Sequence, residues 1–437
     1  MQSDDIGEFA SSNSFSTIPD EVKERTRLAV LNFFAVTIGA NAYPQSKNII
    51  DSCQEIQMGN YPIFGSAKKS GLISSTWANS SLSHLLDFDD THLGSIVHPS
   101  APVIPSSLAV GIENSGSGSE VIYSSAIGME VAIRLALGVG LDERYSDWHN
   151  TSLYGTSAAG TAASIMFHST GEEISSSFLQ GLTVATGFLS NRGTVTKSFQ
   201  VGRSAAEGII CAIASRNGVT VSKNILKTFA ASLSGSSEID LVTKDLSKKW
   251  HVLDNYLKPY PCGVVLHPGI DAAIRMREKN IAFEDVDRVD VHVNPVVLVL
   301  TGIMEPNTGL ESKFSVTHAI AAALVYGPLY PEHFSDKAVS DRKILEIRRK
   351  IKVHSDENIN RGQTLIEVKY KNGKTETVDL NRGPETPSKH LDENDVHLKF
   401  SHLVEPVTGK DVAVEIWNYL RDFQKKSDIS EIVEIFE

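Results

Sequence analysis

Near residue 255 the spacing of the apolar residues changes, and that change limits the chain to folds with two differently built parts. Before it, apolar residues recur at helical intervals. Val22, Leu28, Leu31, Phe34, Ala35 and Ile38 line one such stretch. It starts at Pro19 with Asp20 and Glu21 in its first turn and closes near Gly39, a pattern of start and stop signals for one helix. Further helices are expected over 74–86, from Ser119-Glu120 to about Leu137, and over 203–216, where Asn217-Gly218 ends the run. The segment GTSAAGTAAS at 155–164 is made of small residues, which predicts a closely packed, central helix. After residue 255 the period falls to two: Val289, Val291 and Val293 alternate with polar residues, and Ile351 and Val353 repeat the pattern. Residues 365–370 and 375–380 flank Lys-Asn-Gly-Lys, a strong hairpin signal. Helices are expected at 268–278 and 313–325, and again over about 410–425, where the chain can return to the first part. No internal repeat at solenoid periods is present.

Composition narrows the functional classes. The 437 residues carry 41 Lys and Arg against 53 Asp and Glu, a formal charge of −12. Phosphate neutralisation needs clustered basic residues, so the charge balance argues against nucleic acid, and against an anionic membrane surface, as a partner. A hydrophobic fraction of 41% with 22% charged residues describes a globular protein. Cys53, Cys211 and Cys262 are far apart and form no CxxC pair. That suits a reducing compartment and does not supply the closely spaced ligands of an iron–sulfur site. The start, MQSDDIGEFASS, lacks the basic-then-apolar pattern of a signal peptide. The apolar run near 28–40 is interrupted by Asn32 and Thr37 and is short for a bilayer span. The expectation is a cytoplasmic protein with neither a membrane nor a nucleic-acid partner.

Five segments concentrate reactive side chains. Asp87-Phe88-Asp89-Asp90-Thr91-His92, followed by His98-Pro99-Ser100, places carboxylates, a hydroxyl and imidazoles at a helix end. Metal, acid/base and anion-orienting roles are all open to such a set, although no HxH or HxxxH spacing supports a metal. Trp148-His149-Asn150-Thr151 puts an imidazole just before the small-residue helix. In Thr194 to Arg203, Lys197 precedes a glycine and a helix opening with Arg203, an arrangement suited to a carboxylate or phosphate but not in P-loop order. In Lys258-Pro-Tyr-Pro-Cys-Gly-Val-Val-Leu-His-Pro268 the prolines stiffen the chain around Lys258, while Cys262 has no base nearby in sequence and reads as a packed thiol. The fifth, 306–318, is a tight loop leading into a helix at His318.

Together the blocks DFDDTHLGSIVHPSAPVIP, the His149 segment, TKSFQVGRSAAEG, KPYPCGVVLHPGIDA and PNTGLESKFSVTHAIAAAL resemble the MmgE/PrpD family. That family includes 2-methylcitrate dehydratases, cis-aconitate decarboxylases and iminodisuccinate epimerases. The likeness spans nearly the whole chain. It implies a mainly α protein: a large all-helical domain, residues 1–255 with 395–437, and a smaller α+β lid domain, 256–394. It also implies a homodimer, an active site between the domains, and no metal or organic cofactor. By position, the family's catalytic residues correspond to Asp87, Thr91, His98, His149, Lys197 and Lys258, with Lys197, Lys258, Arg203 and His318 as substrate-binding candidates. The loop from Thr91 to His98 is one residue longer than in the animal decarboxylases. His318 stands where they have a tyrosine, and Gly263 where they have a histidine. These departures argue against the decarboxylase.

The chemistry common to such enzymes is proton transfer at a carbon next to a carboxylate. Negative charge builds up as that proton leaves, so ammonium groups must stabilise an enolate-like state while an imidazole moves the proton. His149 is the first candidate acid/base and His98 the second, with Asp87 orienting an imidazole and Thr91 giving a hydrogen bond. The expected substrate is a small di- or tricarboxylate. The expected reaction is a 2-methylcitrate dehydratase-like hydro-lyase, with an iminodisuccinate epimerase-like isomerase and a cis-aconitate decarboxylase as alternatives. A local positive field inside an acidic shell would serve each of them.

Overall fold

The computed structural model describes residues 2–140, 147–233, 237–279, 283–382 and 389–436. Up to residue 254 these residues are chiefly helical. The helix Asp20–Gly39 follows Pro19, and Gly118–Val139 begins at a Ser117–Glu120 capping box and ends at Gly140, whose φ of 67° needs no Cβ. Around the helix Asn150–Met166 pack Ser100–Glu113, Gly118–Val139, Gly171–Thr183 and Val195–Arg216. Helix 118–139, rather than the run near 28–40, is long and apolar enough, by length and composition, to cross a bilayer. Of its most apolar window, 94% is buried inside the protein. Mid-helix it carries a fully buried Glu130–Arg134 pair at 2.6 Å, so it is one of the buried core helices of this bundle.

The small-residue segment is central for a physical reason. A Cβ on Gly208 would lie 2.6 Å from the Ala159 Cβ and 2.7 Å from the Gly160 nitrogen. Helices 150–166 and 195–216 therefore approach almost backbone to backbone. Gly155 meets Ser204 as Gly160 meets Gly208, so the two run in the same direction and their N-termini lie together. Helix Leu72–Leu85 crosses the second of them, with Ser81 and Trp77 against Gly202. There His84, near its C-terminus, reaches the first turn of helix 195–216.

Later in the chain a four-stranded sheet runs in the order Ile351–Ser355, Val286–Val293, Gln363–Tyr370, Thr375–Asn381. The first pair is parallel and the others antiparallel. The hairpin turns at Gly373, φ 83°, as the Asn-Gly signal requires. Helices His267–Arg277 and Val316–Tyr326 cover the sheet and share its apolar core. A separate core gathers residues from Ile6 to Leu257 together with Leu391 to Ile432. Helices Glu393–Thr408 and Lys410–Arg421 thus bury Phe400, Leu403, Trp417 and Leu420 against the helical part. A short ladder, Asp90–His92 with Asn255–Leu257, joins the acidic segment to the strand leading into Lys258.

Candidate active site

Helix 72–85 ends in a turn that places Asp87 in the left-handed region, φ 52°, a backbone state that Asp tolerates better than most residues. The turn carries its side chain into a buried charge cluster. Lys197 and Lys258 donate to the same Asp87 oxygen, Oδ1, at 3.1 and 2.9 Å. Lys258 also donates to the Asp87 carbonyl at 3.3 Å. Burial alone would push the Asp87 carboxyl up, but the two ammonium groups hold it well below the usual carboxylate range. Lys197 gives a further hydrogen bond to His84 Nε2, 2.9 Å, and His84 Nδ1–H donates to Asp89 Oδ2, 2.6 Å. The result is a continuous Asp89–His84–Lys197 chain behind the cavity.

Two more imidazoles flank it. His98 is anchored by its backbone N–H on Thr151 Oγ1, 3.1 Å, and by Nδ1–H on the Asp90 carbonyl, 2.6 Å. His149 stands at the N-cap position of helix 150–166, its Nδ1 3.0 Å from both Ser152 Oγ and Gln200 Nε2. The His98 and His149 rings lie 4.9 and 5.6 Å from that of His84. Burial first, and then the neighbouring ammonium groups, hold all three imidazoles well below their ordinary pKa, so they are neutral. Asp90 has a different task. Its carboxylate receives the Ser100 hydroxyl and the Asn255 amide, and burial raises it to about 6.

Asp87, His98, His149 and Lys197 face a cavity of about 450 Å³, open mouth included, within the usual size range of small-molecule sites. Arg192 from the helical part joins them. Gly263, Val264, Val265, Leu300, Thr301 and Phe314 form the opposite wall, so the hollow lies between the two cores. The N-termini of two parallel helices, 150–166 and 195–216, open on this side, adding partial positive charge where an anion would sit.

The remaining expected residues lie elsewhere. Lys258 is fully buried beneath Asp87 and does not line the cavity, so it acts as a counter-charge rather than a direct substrate ligand. Thr91 is held in the ladder opposite Tyr256; its buried hydroxyl has no hydrogen-bond partner among the described residues and does not line the cavity. Arg203 points to solvent and sits 3.6 Å from Glu207. Its helix begins at Val195, not Arg203, which turns Arg203 outward two turns in and makes Lys197 a first-turn residue. His318 is buried against Phe334, its Nε2–H on the His333 carbonyl at 2.8 Å, away from the cavity. Cys262 is buried with its thiol pushed up by burial, as a packed cysteine should be.

Several residues escaped the sequence reading. His84 sits on a buried, serine-rich helix and gave no motif. Arg192 and Gln200 lie in or near a quoted block without a spacing signal. Two buried lysines staple the site from behind. Lys313 donates to the Leu86 and Pro261 carbonyls at 2.7 and 3.1 Å, and Lys399 to those of Phe88 and Lys258 at 2.6 and 2.9 Å. Burial lowers Lys313 to about 8. His84, Asp87, Asp89 and His98 also lie close enough to share a cation. Asp87 Oδ1 already holds two ammonium groups, and both His84 nitrogens are engaged. A divalent ion there would have to displace or repel two lysines.

Residues 4–241 match the family description MmgE/PrpD N-terminal domain, and residues 260–423 match MmgE/PrpD C-terminal domain. Members are mostly enzymes, dehydratases and decarboxylases among them. No curated protein matches the chain.

Proposed function

The chain belongs to the MmgE/PrpD family, and from that premise we propose that it is a lyase that moves a proton at a carbon next to a carboxylate of a small di- or tricarboxylic acid, most simply a 2-methylcitrate dehydratase-like hydro-lyase. The observation that carries the reading is one cavity shared by two neutral imidazoles, an ammonium and a guanidinium: His98, His149, Lys197 and Arg192. A carboxylate entering it meets Lys197, Arg192 and the two helix N-termini, which offset its charge before any proton moves. As the neighbouring carbon loses its proton, the new charge spreads onto that carboxylate, already next to the lysine. In a dehydration the departing hydroxyl needs a proton. Lys197 can supply it, because two of its three N–H groups are bound to Asp87 and His84 and burial lowers its pKa. All of these steps use the chain's own side chains.

An epimerase needs acid/base groups placed against the same carbon and no leaving group, and the His98–His149 pair keeps that second reading open. For the decarboxylase, Gly263 forms part of the cavity wall where the animal enzymes carry an imidazole.

Incubation with citrate, 2-methylcitrate, cis-aconitate and iminodisuccinate in D2O, followed by proton NMR, separates the possibilities. The expected result is water loss from 2-methylcitrate or citrate. Solvent deuterium exchange without net change would move the assignment to an isomerase, and itaconate formation to a decarboxylase. No reaction and no exchange with any of the four would refute the proposal.

A further inference from the structure

We propose that the two cavity imidazoles are locked in opposite tautomers, and that Gln200 is the positioning residue that sets one of them. The inference rests on the functional reading above, since it assigns the direction of proton flow within that site.

For His98, Nδ1 faces two oxygens that can only accept: the Asp90 carbonyl at 2.6 Å and an Asp89 carboxylate oxygen at 3.5 Å. A neutral imidazole has one proton, which must therefore sit on Nδ1. Nε2 presents a bare lone pair, and no described residue hydrogen-bonds to it.

For His149 the same edge faces a donor. The Gln200 amide is oriented by the backbone of Phe188, whose N–H donates to Oε1 at 3.1 Å and whose carbonyl accepts from Nε2 at 3.2 Å. A main-chain N–H only donates and a carbonyl only accepts, so the amide cannot be turned over. Asn191 adds a second donor to Oε1 at 3.2 Å. The remaining amide N–H points at His149 Nδ1, 3.0 Å away, which must accept. Ser152 Oγ, 3.0 Å from the same nitrogen, can donate as well. The His149 proton is thus on Nε2, the edge with no partner among the described residues. In the third imidazole, His84, both nitrogens are taken by Asp89 and Lys197.

Of the two cavity imidazoles, His98 is then the one that can act as the base. Its Nε2 takes the proton from carbon and becomes imidazolium, while the C–H electron pair moves onto the adjacent carboxylate to form an enediolate. His149 Nε2–H hydrogen-bonds the oxygen on which that charge grows and keeps its own proton, as a neutral imidazole does best.

The test is the protonated nitrogen of each ring, read in substrate-free protein labelled with 15N-histidine by long-range proton–nitrogen NMR. The signals are assigned with His98→Asn and His149→Asn. The expected result is Nδ1–H for His98 and Nε2–H for His149. Gln200→Glu replaces the donor by an acceptor. It should move the His149 proton to Nδ1, leave the His98 signals in place, and lower kcat about 100-fold with little change in KM. The same tautomer on both rings of the wild type overturns the proposal. So does an unmoved His149 signal in Gln200→Glu, or a moved one with kcat unchanged. The wild-type spectrum decides even if the variant does not fold. Because it needs no turnover, it stands apart from the failure of every acid to react, which would sink the functional reading instead.

Discussion

Replacing Asp87 by Asn keeps the shape of the side chain and removes the charge on which two ammonium groups rest. Lys197 and Lys258 lie 3.1 and 2.9 Å from a single oxygen. At an effective dielectric near 20, each contact is an attraction of about 5 kcal/mol. The net loss is smaller than the sum, because the two lysines repel each other and their desolvation is already part of the folded state. Removing one partner of a buried pair costs about 3–5 kcal/mol, and Asp87→Asn should fall in that range at pH 7. The stranded lysines should then release protons more readily. A lysine whose folded pKa is depressed binds fewer protons folded than unfolded, so stability rises with pH between its folded value and the unfolded one near about 10.4. The loss relative to wild type should therefore shrink between pH 7 and pH 9.5. Urea unfolding of both proteins at the two pH values reads this directly. A difference below about 1 kcal/mol at pH 7, or one that grows with pH, would refute the charge balance described for the cluster.

Other expectations follow from the same geometry. His84, His98 and His149 are held neutral by burial, while their unfolded counterparts take up protons below about pH 6.5. Stability should therefore fall with acidity from that point down. Asp90, raised to about 6, binds a proton in the folded state first and offsets one of the three, leaving a slope of about 3 kcal/mol per pH unit from the cluster; a flat profile in denaturant unfolding from pH 6.5 to 5 would count against neutral imidazoles. Gly208→Val drives a side chain into Ala159 and the Gly160 backbone. It should cost at least about 1–3 kcal/mol and lower kcat by parting His149 from Gln200, whereas unchanged melting and turnover would contradict the close approach. Arg203→Ala should leave KM unaltered and stability within about 0.5 kcal/mol, and a marked rise in KM would return Arg203 to the site.

The helical frame and the hairpin were largely legible because their start and stop signals are local: Pro19 with its acids, Ser119-Glu120 (the structure sets the cap two residues earlier, at Ser117), Asn217-Gly218, and Asn372-Gly373 in the hairpin. The site was legible where its residues fall in motifs, as with Asp87, His98, His149 and Lys197. It was obscured where tertiary packing overrides local preference. The segment Thr194–Gly202 carries β-branched residues and a glycine, which weaken a helix. The contact of Gly202 with Trp77 and Ser81 makes it one and turns Lys197 inward. On helix 393–408 the pattern is inverted: Leu398 is 70% exposed, while Lys399 is buried beneath the site. No hydropathy argument puts that lysine inside, because the carbonyls of Phe88 and Lys258 that receive it come from distant parts of the chain.

The central claim, that a neutral imidazole removes a proton beside a carboxylate held at Lys197, is tested most directly by deuterium entering that carbon. In D2O the wild type should place deuterium next to a carboxylate of 2-methylcitrate or citrate. His98→Gln should incorporate none while still binding the acid in calorimetry. Incorporation by His98→Gln at the wild-type rate would contradict the account.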